Sequence, residues 1–193
     1  MRVDDTAERI VYSALKIFLE QGVRRSTLTE VAFEAGLTRI TVYRYFGDKT
    51  GLVQAVCRRG ARVFQRVAEG DPSDSMVQIE ARLKRFGEEF AQLPPGNLLA
   101  QFDEIRRLYP VPYEEFRAAR EEALDRVFEQ AVAVAAREHA ISEEINLDVV
   151  KAMFRTSVVG LIENPTLIAA SVPLSEVCRT AIAVWRHGIL KSS

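Results

Sequence analysis

Residues 27–49, TLTEVAFEAGLTRITVYRYFGDK, constrain this chain more than any other stretch, because they encode two short helices joined by a glycine turn. Thr27 opens the first helix with Glu30 three positions later, the spacing at which the two side chains can satisfy each other's orphaned backbone donors. Val31, Ala32 and Ala35 then face inward. Gly36 stands where a helix C-terminus wants a residue that tolerates positive φ, and Thr38 is a good cap for the next helix. Along that second helix Val42 and Phe46 lie four apart on the packing side, which leaves Arg39, Thr41, Arg44 and Tyr45 outward. One face packs and the other reads, the layout of a DNA-reading helix-turn-helix.

Upstream, Ala7, Ile10, Val11, Ala14, Leu15, Phe18 and Leu19 form a single apolar stripe, which predicts a helix over 6–21 ended by Gly22. It supplies the floor on which the two short helices pack, so residues 6–46 form a three-helix unit. About forty residues bury too little surface to be secure alone, and such a unit should lean on the rest of the chain. Asp48 can cap a fourth helix running through Leu52, Val56, Phe64 and Val67 towards Gly70, and this helix joins head to body. GDPSDS (70–75) breaks the pattern before a helix to Leu93, PPG (94–96) stops that one, and another spans 97–108. YPVP (109–112) resets the direction before a helix of about 28 residues. A break at 142–146 precedes a helix over 147–163, closed by Asn164-Pro165, and a last one runs from Pro173 towards Leu190. The chain therefore reads as all-α, with about nine helices, a head over 1–48 and a helical body over 49–193.

The net charge of −1 looks wrong for a nucleic-acid binder until it is split along the chain. Residues 1–66 hold twelve Lys or Arg against seven Asp or Glu, and residues 67–193 hold fourteen against twenty. A basic module on an acidic body suggests phosphate contact by the first part and another task for the second. Cys57 and Cys178 each sit in an apolar helical pattern with no CxxC or histidine neighbour, so they read as buried thiols and no metal site is expected. No run approaches a membrane span and the N-terminus lacks an apolar signal core, which points to a cytoplasmic protein. There is no nucleophile elbow, glycine-rich phosphate loop or paired-histidine motif, and His139 and His187 stand alone, so no catalytic residues and no cofactor are expected.

Ala35-Gly36-Leu37, then Tyr43-Arg44-Tyr45-Phe46, Lys49 and Leu52, preceded by Ala14, Phe18, Gly22, Thr27 and Ala32, resemble the tetracycline-repressor (TetR) family of bacterial regulators. The resemblance covers the first 55 residues, with Tyr109-Pro110 as a further shared motif. It implies a helix-turn-helix DNA-binding domain over 1–48 and an effector-binding and dimerisation domain over 49–193. It also implies that Thr38, Arg39 and Thr41, with Arg44, meet base edges, while Thr27, Tyr43, Tyr45 and Lys49 hold phosphates. The chemistry agrees: arginine can bridge guanine O6 and N7, and threonine can touch a thymine methyl, whereas tyrosine and lysine grip a backbone without reading it. Ile40 departs from the family, which often has a small residue there, and it can meet a thymine methyl or limit the helix's approach.

One head contacts only a few base pairs, so two heads on a two-fold homodimer and a near-palindromic double-stranded operator are expected. The family's four-helix seam implies an interface through Met153, Phe154, Ser157, Leu161, Val177, Ala181, Val184 and Trp185. The alternative is that these stripes pack on their own body. Phe86, Phe90, Phe102, Tyr109, Tyr113, Phe116 and Phe128 exceed what a thin helical layer needs. In the family an effector cavity lies between such helices, and apolar walls would suit a small hydrophobic or aromatic molecule. Glu104, Arg106, Arg155 and His139 could orient it, or be ordinary satisfied polar groups. A DNA-binding regulator under a protein partner's control, or constitutive, stays open, as does a helical enzyme using the cavity; the reading taken is a ligand-responsive bacterial repressor.

Overall fold

The computed structural model describes residues 5–71, 73–137 and 146–189, apart from the side chains of residues 90, 182 and 185–189. His139 falls outside that set, as do most of the break expected at 142–146 and the side chains of Phe90, Trp185 and His187. Every described element is a helix: α1 (Asp5–Gln21), α2 (Leu28–Glu34), α3 (Arg39–Phe46), α4 (Lys49–Ala68), α5 (Met76–Ala91), α6 (Leu98–Leu108), α7 (Pro110–Arg137), α8 (Leu147–Ile162), α9 (Pro165–Ala169) and α10 (Leu174–Ile189). The nine expected helices are present, and α9 is an addition. Asn164 does end α8 as expected, but its side chain also accepts from Thr166 N (2.9 Å) and Leu167 N (3.2 Å), which starts a further turn with Pro165 first in line. Five residues are too few to show a period.

YPVP does not separate α6 from α7 as widely as its two prolines suggest. Tyr109 alone lies between the helices, and Pro110 and Pro112 occupy the first turn of α7, where no backbone N–H would have had a partner.

Two compact groupings of helices emerge. The residues through Arg62 cluster with Leu93–Ala118, and Val63–Gln92 cluster with the residues from Ala119 onward. In the first grouping α1 buries Ile10, Val11, Ala14, Leu15, Phe18 and Leu19 as its stripe predicts, against α2 and α6. Arg59 and Arg62 of α4 reach back to Glu8 of α1 at 2.6 and 2.9 Å. Phe102 and Phe116 stack at 5.1 Å between α6 and the start of α7. In the second grouping α10 packs on α5 and α8. Here Arg120 of α7 is fully buried with Glu163 at 3.8 Å, a charge on an inward face that hydrophobic periodicity could not reveal. Among the described residues no helix is long and apolar enough to cross a membrane, and no group of His, Cys, Asp and Glu is placed to hold a metal ion.

The cap of α2 forms as its spacing predicts. Thr27 Oγ1 accepts from Glu30 N at 3.2 Å, and Glu30 Oε2 accepts from Thr27 N at 2.7 Å and from its hydroxyl at 2.8 Å. These bonds, side chain first and backbone second, hold the Glu30 carboxyl below its ordinary pKa. A carboxyl depressed in the folded state stabilises the fold fully above its ordinary pKa and loses that effect as pH falls through the depressed value. The stability difference between the wild-type protein and Glu30→Ala, followed by denaturant unfolding, is therefore constant near neutrality and shrinks on acidification. Thr27→Ala costs about 1 kcal/mol at neutral pH in the same assay.

Candidate nucleic-acid interface

The turn from α2 to α3 is set by hydrogen bonds around Gly36. Leu37 N donates to Ala32 O at 2.8 Å and Gly36 N to Phe33 O at 3.0 Å, a helix-ending arrangement that requires the positive φ of +64° found at Gly36. Val31, Ala32 and Ala35 are buried on the inner side. Thr38 then caps α3, its Oγ1 accepting from Thr41 N at 3.2 Å and lying 3.0 Å from Thr41 Oγ1. Both threonines therefore have part of their hydrogen-bonding capacity committed locally before meeting a base.

Within α3 only Val42 is buried; Phe46, expected in the core, is half-buried. Arg39, Ile40, Tyr43 and Arg44 are exposed, with Ile40 at 81%. The Arg39 guanidinium lies 5.3 Å from the centre of the Tyr43 ring, and that of Arg44 lies 5.7 Å from the Tyr45 ring. A guanidinium over an aromatic face keeps its in-plane N–H donors for other partners, so each tyrosine narrows the conformations of a charged, donor-rich side chain.

Thr27, Arg39, Tyr43 and Lys49 line one open concavity together with Thr29 and Asp48. The structure gives Lys49 a further duty. Its Nζ donates to Ser26 O at 2.6 Å and Arg24 O at 3.2 Å, and burial lowers its pKa against the opposing pull of Glu104 and Glu30. The ammonium thus clasps the loop before α2 with two of its three donors. Three neighbours went unassigned in the sequence. Arg24 and Arg25 are exposed in that loop, and their adjacency just before the capping Thr27 was the available signal. Phe33, 87% exposed on α2, had none.

The aromatic residues expected around an effector divide. Phe86 and Phe128 line an apolar cavity of about 190 Å³ in the second grouping, with Phe64 of α4 at their side. Phe102, Tyr113 and Phe116 instead pack together in the first, and Tyr109 is the C-cap of α6. The residues expected at a dimer seam divide too. Phe154, Leu161, Val177 and Ala181 line the same cavity, whereas Met153 and Val184 are 58% and 65% exposed and Ser157 bonds to Met153 O at 2.7 Å. Of the polar candidates for holding a ligand, Glu104 bonds to a backbone amide, Arg106 to Asp103, and Arg155 to Glu121 and Asp125. The cavity wall instead contains Glu80 and Cys178, and burial pushes the Cys178 thiol up to about 12. Cys57 is also pushed to about 12, by burial first and Glu115 second, so both thiols stay protonated at neutral pH.

Known proteins resemble this chain in its N-terminal segment and in its fold. Residues 10–56 match the family described as bacterial regulatory proteins, tetR family. The HTH-type transcriptional repressor BepR of Brucella suis biovar 1 is 46% identical over 55 residues, 28% of this chain and 26% of BepR. The match thus spans about a quarter of that relative's length. Along nearly the whole chain the likeness is one of fold. A putative TetR-family transcriptional regulator from Rhodococcus sp. has a TM-score of 0.66 at 14% identity, covering 95% of this chain and 98% of that one. SmeT, the repressor of the Stenotrophomonas maltophilia multidrug efflux pump SmeDEF, has a TM-score of 0.63 at 21% identity, covering 98% and 93%, and its structure is also known as a triclosan complex. Residues 10–56 are thus similar to the tetR-family helix-turn-helix, and the chain as a whole shares its all-α fold with solved TetR regulators.

Proposed function

We propose that this protein is a cytoplasmic transcriptional repressor that binds a near-palindromic DNA operator as a homodimer and leaves it when a small apolar effector fills the cavity. The observation that carries the DNA-binding part is the α3 surface: two exposed arginines, each ordered against a tyrosine, on a helix that buries only Val42. Arg39 and Arg44 are the readers, bidentate towards guanine edges. Ile40 meets a thymine methyl. Thr27, Tyr43, Tyr45 and the remaining donor of Lys49 hold phosphates, with Thr38 and Thr41 beside the readers.

The exposed apolar face carrying Met153 and Val184 supports pairing with a second copy through α8 and α10. The residues those helices turn the other way support a ligand site. Their cavity is smaller than the ~300–1,000 Å³ of usual ligand sites, and its walls are almost wholly hydrocarbon, so it favours a compact, uncharged molecule. Helix α4 carries Phe64 into the cavity wall and Lys49 onto the loop before α2. An effector that fits better with α4 displaced then shifts the population away from the DNA-bound arrangement. Moving from 1% to 99% release takes about 5.5 kcal/mol of differential binding.

Selection of bound duplexes from a random pool by the purified protein tests the first part, with an inverted repeat expected. On that operator Arg39→Ala and Arg44→Ala each cost about 1–3 kcal/mol and relax preference at one position per half-site; unchanged preference in both assigns the reading elsewhere. Val184→Glu yields monomers in sedimentation equilibrium that bind the operator weakly, and a dimeric Val184→Glu moves the seam to another face. Ala131→Phe, which fills the cavity from α7, keeps operator binding but loses the thermal stabilisation given by neutral aromatic compounds.

A further inference from the structure

The loop between α1 and α2, residues 22–26, is gripped from two sides. Val23 is fully buried, and its amide donates to Glu104 Oε2 at 2.6 Å and to Gln101 Oε1 at 3.2 Å, both on α6. Buried Ser26 donates its hydroxyl to Val23 O at 2.7 Å, and Lys49 holds the Ser26 and Arg24 carbonyls from the start of α4. The segment leading into α6 is fastened to the same region. Gly96 has φ +153°, and a Cβ there would come within 2.7 Å of the Leu19 Cβ and carbonyl oxygen at the end of α1. Only glycine allows that approach.

The next residue after this loop is Thr27, whose capping box begins α2. A shift of residues 22–26 therefore carries the start of α2 with it, and α3 follows through the tight turn at Gly36. A carboxylate spent on a backbone amide is a strong, charge-assisted bond, and the amide has no water to fall back on once the bond is lost. Two acceptors converge on one buried N–H here, which is more than the loop needs for simple satisfaction.

We propose that Glu104, assisted by Gln101, is a positioning residue for operator reading: α6 holds residues 22–26 through the Val23 amide and so sets the attitude of α2 and α3 towards DNA. The proposal rests on the operator-binding reading above. In it α6 is a second lever on the DNA-reading helices beside α4, and any rearrangement of α6 that draws Glu104 from Val23 weakens specific binding while leaving the basic surface intact.

The test uses the full chain, a duplex selected from a random pool by the wild-type protein, and a scrambled duplex of equal length. Glu104→Leu removes the acceptor, while Glu104→Gln keeps one oxygen in place. Glu104→Leu is expected to lose about tenfold or more in affinity for the selected duplex with little change on the scrambled one, and Glu104→Gln to stay within about threefold of wild type. Hydrogen exchange at the Val23 amide is expected to quicken in Glu104→Leu. An unchanged ratio of selected to scrambled affinity, equal losses on both duplexes, or unchanged exchange at Val23 overturns the proposal. Should Glu104→Leu fail to fold, Gln101→Leu is read in the same way, with a smaller loss expected and an unchanged ratio and exchange overturning it. A wild-type protein that prefers no duplex overturns the operator reading itself, and the exchange at Val23 then shows separately whether the α6 clamp exists.

Discussion

An eight-residue helix that buries one side chain cannot hold its own position. α3 has only Val42 in the core, with Thr41, Tyr45 and Phe46 half-buried, so Arg39, Ile40, Tyr43 and Arg44 are left to face outward. That freedom is useful only because the ends of the helix and its neighbours are fixed by other means. Thr38 ties its first turn, Gly36 sets its angle to α2, the Thr27–Glu30 box secures α2, and Lys49 and Glu104 secure the loop before that. Short helices gain little from propensity and cooperativity, so these local bonds and the floor of α1 supply what length does not.

Much of the fold was legible because long helices announce themselves through their apolar period. The α1 stripe became the buried face, residue for residue from Ile10 to Leu19, and the 28-residue length expected for the seventh helix is the length of α7. What escaped was whatever has no period. α9 is shorter than two turns. The prolines of YPVP read as breakers, yet proline in a first turn breaks nothing, and α7 begins on one. Arg120 lies where an apolar residue was the natural expectation, and it meets Glu163, a residue far along the chain.

At the site, local chemistry was readable and long-range chemistry was not. A capping box needs residues three apart, so Thr27 and Glu30 could be paired from spacing alone. Lys49 meets carbonyls more than twenty positions upstream and Glu104 meets an amide 81 positions away, and no pattern in a linear chain marks such partners. The aromatic residues illustrate a different limit. Counting rings in the middle of the chain found Phe86 and Phe128, but counting could not say that Phe102 and Phe116 stack elsewhere. The stripes of α8 and α10 likewise contain two faces, and the apolar residues most exposed on them are not those that line the cavity.

The cavity has a mechanical meaning as well as a chemical one. Walls that are almost wholly hydrocarbon hold water poorly, so a space of about 190 Å³ is volume that solvent fills badly. Unfolding eliminates such poorly filled apolar space and so shrinks the system, which makes the packing of α5, α7, α8 and α10 around it sensitive to hydrostatic pressure.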